Sequence, residues 1–482
     1  MAEKKILFVG AEIMPFAATG GLGDVLGSLP AAIKAELKDD GDIRAIMPLY
    51  SVVSPEWRAQ MTEVAIFDVR LSWRTQYCGI YSLVKDGVTF YFIDNEFYFR
   101  RKALYGEFDD GERYAFFCKA VMEFLCRIDW KPDVLHAHDW QATLSVIYLC
   151  RKYKLVAGFY DIKTVFTIHN IEYQGKYDFS RLSDVFELDY ADRGLMEYGD
   201  CINLMKAAIV CADRVNTVSP RYAEELLNGE NAHGLSHILR MYSDKFSGIL
   251  NGIDYDYYNP ETDPAIKEKY NSESALAGKT ENKLALQNAT GLPERADVPM
   301  VALITRLATH KGLDLVKEIA ERLIAENDIQ FVVLGKGEAT YESFFIELEK
   351  KYPEKARALI QYDRDLSKRI YAAADIFMMP SKSEPCGLAQ MIASHYGAFP
   401  VVRETGGLFD SIKGYWEHDG VIDGNGFTFA NYNAEELLER TCAAIAVWND
   451  ENTRERFTKK IMETNFSWNV SAKRYIDLYA AI

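Results

Sequence analysis

Two copies of one signature stand near opposite ends of this chain, Thr19-Gly20-Gly21-Leu22-Gly23-Asp24 and Thr405-Gly406-Gly407-Leu408-Phe409-Asp410. Each follows a short apolar run, Ile6–Val9 or Phe399–Val402, and each opens a helix-like segment. Adjacent glycines let backbone approach a ligand closely, and free N–H groups at a helix start favour an anion. Either copy alone reads equally well as ordinary punctuation between strand and helix. Two copies in matched contexts point instead to a phosphorylated ligand held by two α/β halves that face each other across a cleft.

Other residues carry complementary chemistry. Arg306 and Lys311 lie just after the apolar run Met300–Ile304. Cations at a helix start oppose the macrodipole, so a stabilising role is poor. Binding a diphosphate suits them better, since Arg clamps phosphate oxygens in two contacts and Lys adds a point charge. Glu384 stands before Pro385 in Ser381–Leu388. Carboxylates in an acidic chain are mostly surface groups, but one facing sugar hydroxyls makes charge-assisted hydrogen bonds, and we prefer that reading. Cys386 reads as a small buried residue, because only the adjacent helix start would lower its pKa. His136, His138 and Asp139 have the spacing of metal ligands, with 136 and 138 on one face of a strand. No further His or Cys cluster completes such a site, so hydrogen bonding to a polar ligand or a satisfied strand-end imidazole is preferred.

Positioning these groups requires alternating strands and helices. Apolar runs in the first half are Ile6–Val9, Ile43–Met47, Val88–Ile93, Val134–Ala137, Thr164–Ile168 and Val215–Val218. In the second half they are Met300–Ile304, Phe331–Leu334, Leu359–Tyr362, Ile376–Met379 and Phe399–Val402. Buried strands separated by helices imply doubly wound parallel sheets, whose chemistry gathers at the strands' carboxyl ends. The polar residues cluster at those ends: His136–Trp140, His169–Glu172, Asn251–Asp254, Arg306–Lys311 and Ser381–Leu388. The stretch Asp254–Pro299 breaks the rhythm and puts a domain boundary near residue 255.

At 482 residues the chain exceeds the size of one growing core. Its net charge of −16 argues against nucleic acid or an anionic membrane as the main partner. No spanning apolar stretch is present, and Met1–Ile6 runs straight into a strand without a signal-peptide core. Eight cysteines without a Cys-x-x-Cys pair then read as reduced thiols in a cytoplasmic protein.

End to end, the chain resembles the bacterial glycogen synthases of the starch-synthase type. The matching segments are Pro15–Pro30, Phe92–Phe117, Asp133–Ala142, Thr167–Gly175, Thr217–Pro220, Ile249–Asp263, Arg306–Leu315, Glu384–Gln390 and the second Gly-Gly copy. The resemblance implies an α/β fold of GT-B type: a Rossmann-like domain over 1–255, a second over 256–461, and a terminal segment, 462–482, packing back on the first. It implies transfer of glucose from ADP-glucose to the 4-hydroxyl at the non-reducing end of an α-1,4-glucan, with retention and without metal or cofactor. Residues matching Arg306 and Lys311 would neutralise the leaving diphosphate. Those matching Glu384, Asp139, His169 and Asn251 would surround the transferred glucose and the approach of the acceptor. Thr19, Gly20, Gly21, Cys386, Gly387, Leu388, Thr405, Gly406, Gly407 and Leu408 would line the donor, several through backbone amides. Tyr362 would stack on the nucleobase at the end of its strand. Retention by double displacement wants two carboxylates about 5 Å apart. Glu384 has no second acid eight residues on, where Ile392 stands, so front-face attack is favoured.

One departure stands out: the family's usual Lys-Thr-Gly-Gly-Leu reads Ala18-Thr19-Gly20-Gly21-Leu22 here. Loss of such a cation costs about 2–4 kcal/mol of transition-state stabilisation. Two rivals remain, a dinucleotide oxidoreductase and a non-catalytic glucan-binding protein. The first loop lacks Gly-x-Gly-x-x-Gly order, against the former, and retained Arg306, Lys311 and Glu384 speak against the latter.

Overall fold

The computed structural model describes residues 4–482. By internal packing the chain forms two units, residues 1–252 with 468–482, and residues 253–467.

The first unit is built on a nine-stranded sheet. Its strands are β1 (Lys4–Val9), β2 (Gly41–Pro48), β3 (Thr62–Leu71), β4 (Arg74–Lys85), β5 (Val88–Asp94), β6 (Val134–His138), β7 (Lys163–Ile168), β8 (Arg214–Thr217) and β9 (Phe246–Gly248). They lie in the order β9-β8-β7-β6-β1-β2-β5-β4-β3. Pairing is parallel from β9 to β5, and antiparallel through β4 and β3. That antiparallel flap departs from the all-parallel sheet expected. Strand β3 alternates exposed and covered residues, the mark of a strand wet on one side.

The second unit holds a six-stranded, wholly parallel sheet: β10 (Met300–Ile304), β11 (Gln330–Leu334), β12 (Ala356–Leu359), β13 (Ile376–Met379), β14 (Phe399–Arg403) and β15 (Phe427–Phe429), in the order β12-β11-β10-β13-β14-β15. Its core strands are continuous apolar runs because helices cover both faces. Strand β12 ends at Leu359, so Tyr362 lies in the loop beyond rather than at the strand's end.

The chain leaves the first unit after Gly252 and returns at Trp468, where boundaries at 255 and 462 were expected. Local bonding explains the difference. The Ile253 N–H donates to the Phe466 carbonyl at 2.8 Å, and the Tyr255 hydroxyl accepts from the Phe466 N–H at 2.8 Å. Residues 253–255 and 464–467 are thus tied together and stay with the second unit. Helix Trp468–Ala480 belongs to the first unit and packs on helix Gly21–Leu37. A buried polar chain fastens it: Tyr479 OH to His136 Nδ1 at 2.8 Å, His136 Nε2 to Thr167 Oγ1 at 2.6 Å, Thr167 Oγ1 to Asn216 Oδ1 at 2.7 Å, and Asn216 Nδ2 to Tyr475 OH at 3.2 Å. Among the described residues, no helix is long and apolar enough to cross a membrane.

Candidate functional site

In the first unit the groups gather at the carboxyl ends of β1, β6 and β7. After β1 the chain loops to helix Gly21–Leu37, with Gly20 as an N-cap whose side is bare. Gly20 and Gly21 are exposed, and a Cβ on either would meet nothing within 4 Å. The Gly21 amide has no acceptor among the described residues, as the first N–H of a helix requires. This copy therefore presents open backbone at a helix start, as the sequence implied. Beneath it sits Glu12, which the sequence reading missed. This buried carboxylate accepts from Thr19 Oγ1 at 2.8 Å, from Gly20 N at 3.3 Å, from the Thr19 amide and from the Tyr105 hydroxyl. Its sequence signal was an acid inside the apolar run Phe8–Phe16.

Asp139 begins helix Asp139–Tyr148 with a positive φ of 56°, in the left-handed region that costs a residue bearing a Cβ. Its Oδ1 accepts from the His169 N–H at 2.7 Å and the Asn170 N–H at 3.3 Å, joining the ends of β6 and β7. Removal from water, with a smaller push from Glu12, raises its carboxyl to about 7, against the two amides. His169 Nε2 meets His138 Nδ1 at 2.9 Å, and burial lowers His169 to about 3, so both rings are neutral near pH 7. We assign the shared proton to His138, which leaves its buried Nε2 as an unpaired acceptor, cheaper than an unpaired donor. His169 then carries a proton on Nδ1, which has no partner among the described residues. The metal alternative loses His136, both of whose ring nitrogens are engaged. Asn251, past β9, is buried with an unpartnered Oδ1.

In the second unit the loops after β10, β13 and β14 converge. Lys311 Nζ lies 2.7 Å from Glu384 Oε2, which also accepts from Ser381 Oγ at 3.0 Å. Both members of the ion pair are largely covered. The Lys382 N–H donates to the His310 carbonyl at 2.9 Å, so the two loops are also joined through backbone. Glu338 braces the cationic loop by accepting from Thr309 N at 2.9 Å and Thr309 Oγ1 at 3.0 Å. Arg306 is exposed, and its guanidinium makes no hydrogen bond or ion pair among the described residues. It is a free cation a few residues from a bound one.

The second Gly-Gly copy behaves differently from the first. A Cβ on Gly406 would fall 2.0 Å from the Glu384 carbonyl oxygen, and one on Gly407 would fall 2.1 Å from that of Cys386. The Gly407 N–H donates to the Glu384 carbonyl at 3.1 Å, and the Leu408 N–H to that of Thr405 at 3.0 Å. These two amides, expected to meet phosphate, are engaged within the protein, and the glycines let the Glu384 loop lie against the strand end. Cys386 is buried, Gly387 takes a positive φ of 70°, and Gln390 Nε2 donates to both their carbonyls. Tyr362 is 75% exposed, with its hydroxyl accepting from Arg364 Nε at 2.9 Å, so its ring is anchored yet open.

Comparison with known proteins gives one consistent answer. Residues 5–241 match the family described as starch synthase catalytic domain, and residues 288–464 match glycosyl transferases group 1. A curated glycogen synthase of Bacillus cereus is 44% identical over 479 residues, and one of Clostridioides difficile is 45% identical over 484 residues; each alignment covers 99% of both chains. Among solved structures, the catalytic domain of starch synthase IV from Arabidopsis thaliana, bound to ADP and acarbose, matches with a TM-score of 0.91 at 34% identity. That match covers 100% of this chain and 99% of the other. A sucrose-phosphate synthase from Thermosynechococcus elongatus matches over the full length of both chains with a TM-score of 0.60 at 17% identity, a likeness of fold.

Proposed function

This chain belongs to the glycogen synthase family, and from that premise we propose that it takes glucose from ADP-glucose and adds it to the 4-hydroxyl at the non-reducing end of an α-1,4-glucan, with retention and without a metal. The family fixes the reaction class, a glucosyltransferase of glycogen synthesis, and the fold, GT-B with two Rossmann-like units. What remains ours is the donor, the stereochemical course and the residue roles.

The observation that carries the reading is the trio at the carboxyl ends of β10 and β13: Lys311 held by Glu384, with Arg306 left free. Breaking a glycosyl–phosphate bond puts negative charge on the departing diphosphate, and fixed cations aimed at that charge are a large catalytic lever. Arg306 supplies uncommitted guanidinium donors, and Lys311 a charge already positioned by its carboxylate. Glu384 is a weakened nucleophile toward carbon, because Lys311 and Ser381 both bond to Oε2 and draw charge from the carboxylate. Front-face departure fits this better: the acceptor hydroxyl bonds to the anomeric carbon as the carbon–phosphate oxygen bond breaks, and its proton passes to the leaving phosphate. In the first unit, the His169 Nδ1–H and the Asp139 carboxylate give a donor and an acceptor for sugar hydroxyls. The exposed Tyr362 ring would stack on adenine. The reading includes a cytoplasmic setting, supported by eight cysteines that are all free.

The test is a panel of ADP-, UDP- and GDP-glucose with glycogen as acceptor, reading incorporated label. ADP-glucose should give the highest kcat/KM; a clear preference for another nucleotide would overturn the donor assignment while leaving the reaction class standing.

A further inference from the structure

The second unit has another concentration of positive charge, at the opposite end of its sheet strands. Helix Ala275–Thr290 carries Lys279 and Lys283 one turn apart, and helix Glu451–Met462 carries Arg454 and Thr458 one turn apart. The two helices pack together, and all four side chains line one cavity of about 50 Å³, with Thr280, Asp375 and Trp448. It lies at the amino-terminal ends of β13 and β14, where Asp375 and Phe399 stand, away from the carboxyl ends that hold Lys311 and Glu384.

Charge around this cavity does not balance. Lys279 and Lys283 are 4% and 2% exposed. Lys283 Nζ pairs with Asp375 Oδ2 at 2.6 Å, and that same oxygen also accepts the Met300 N–H at 2.8 Å. Lys279 has no carboxylate of its own: Nζ reaches the carbonyls of Tyr396 at 2.9 Å and Ala372 at 3.2 Å. Arg454 packs on Trp448, its Cζ 4.5 Å from the ring centroid, and spends one N–H on the Trp448 carbonyl at 3.2 Å. Lys283 Nζ lies 4.6 Å from the same centroid. Among the described residues, no carboxylate pairs with Arg454 and the Thr458 hydroxyl has no protein partner. Three cations thus meet one carboxylate in a mostly buried place, an arrangement that costs several kcal/mol per uncompensated charge. Burial, with a smaller push from the Lys283 charge and against the pull of Asp375, brings Lys279 down to about 7, so its charge is marginal without a further counter-ion.

We propose that this cavity binds a small tetrahedral oxyanion of the inorganic phosphate class, held by the remaining Arg454 N–H groups and the Thr458 hydroxyl in the field of Lys279 and Lys283. The volume suits such an ion, being several times the space one water needs. Arg is the side chain best matched to phosphate oxygens. The dry lysines act mainly as charge, since their N–H groups already point at carbonyls and Asp375. Phosphate bound here would join helices 275–290 and 451–462 and stabilise the second unit.

The test uses the full chain carrying Arg306→Ala and Lys311→Ala, so that neither cation near Glu384 contributes. Equilibrium dialysis against radiolabelled inorganic phosphate should give one saturable site per chain. Melting should rise by roughly 5 °C at a hundredfold excess over Kd, relative to chloride of equal ionic strength. Arg454→Gln with Thr458→Val should abolish both effects while melting close to the parent in chloride. Uptake that never saturates, a melting rise that chloride reproduces, or full retention of binding in the double variant would each overturn the proposal. Should that variant fail to fold, Thr458→Val alone in the Arg306→Ala/Lys311→Ala chain decides: weakened phosphate uptake supports the site, and unchanged uptake refutes it.

Discussion

Arg306 and Lys311 have the same proposed duty but opposite surroundings, and that contrast gives a prediction with two readouts. Replacing either by Ala removes a positive charge from the leaving diphosphate, so kcat/KM should fall by about 10²–10³ for each. Stability should separate them. Arg306 is exposed and bonds to nothing among the described residues, so Arg306→Ala belongs with surface changes worth within about 0.5 kcal/mol. Lys311 neutralises Glu384, which is 6% exposed, and its loss leaves that carboxylate with Ser381. Breaking a fully buried pair costs about 3–5 kcal/mol. Lys311 keeps 18% of its side chain exposed, water enters, and we take roughly 2 kcal/mol, or about 4–8 °C of melting temperature for a unit of this size. The assay is steady-state kinetics beside calorimetry for Arg306→Ala, Lys311→Ala, Glu384→Gln and the Lys311→Ala/Glu384→Gln pair. In the pair, removing the stranded charge should return most of the lost stability but none of the activity. Equal melting losses for the two single cation variants, or a pair that is simply additive in stability, would refute the ion-pair argument. Activity within a few-fold of wild type in both would refute the diphosphate assignment.

Four further outcomes follow. Tyr362→Ala should raise KM for ADP-glucose roughly three- to tenfold with kcat and melting unchanged, because only an exposed stacking face is lost; an unchanged KM removes the nucleobase role. Gly406→Ala should destabilise the second unit and silence the enzyme, since its Cβ would stand 2.0 Å from the Glu384 carbonyl, whereas Gly20→Ala should melt like wild type and lose only donor affinity; matching melting curves would contradict this. Asp139 has a folded pKa raised to about 7, so its contribution is fully present below about pH 4 and lost as pH rises through 7. Asp139→Asn should therefore gain on the order of 2 kcal/mol more stability over wild type at about pH 8 than at about pH 5, a difference that differential scanning calorimetry resolves. Ala18→Lys should lower KM for ADP-glucose, read by saturation kinetics at two salt concentrations, and an unchanged kcat/KM would show the loop already complete.

Much of this was legible in the sequence because one physical signal carried it. Strands such as Met300–Ile304 and Val134–His138 are buried on both faces and read as unbroken apolar runs, so their ends, with the polar residues there, could be placed. Where burial was one-sided the signal failed: Thr62–Leu71 and Arg74–Lys85 mix charged and apolar residues and give no run to find. Strand Ala356–Leu359 was displaced because Ile360 and Tyr362 extend the apolar pattern past the last ladder partner, Leu359. Glu12 was missed for another reason. Its role depends on donors seven residues on (Thr19) and far along the chain (Tyr105), which no local spacing reveals. Lys311 and Glu384 were each singled out for a ligand; that they first bind each other is a tertiary fact.

The two glycine signatures show how one sequence serves two physical ends. At Gly20 and Gly21 the missing side chain leaves backbone open at the start of a seventeen-residue helix, where aligned peptide dipoles favour an anion. At Gly406 and Gly407 it removes an overlap, letting backbone pack on backbone, and the helix that follows is six residues long. Phosphate binding by amides is therefore better supported in the first copy, and cation binding in the second unit, where Arg306 and Lys311 stand. This division bears on Ala18. A Cβ placed on Gly23 would lie 2.3 Å from Ala18 Cβ and 3.4 Å from Glu12 Oε2, so position 18 and the buried carboxylate are close neighbours. With Ala at 18, the donors to Glu12 among the described residues are the neutral groups of Thr19, Gly20 and Tyr105, and a carboxylate here opposes an anion at the same loop. A lysine there would answer that carboxylate as well as the donor phosphates, so its benefit should shrink when Glu12→Gln has already removed the repulsion.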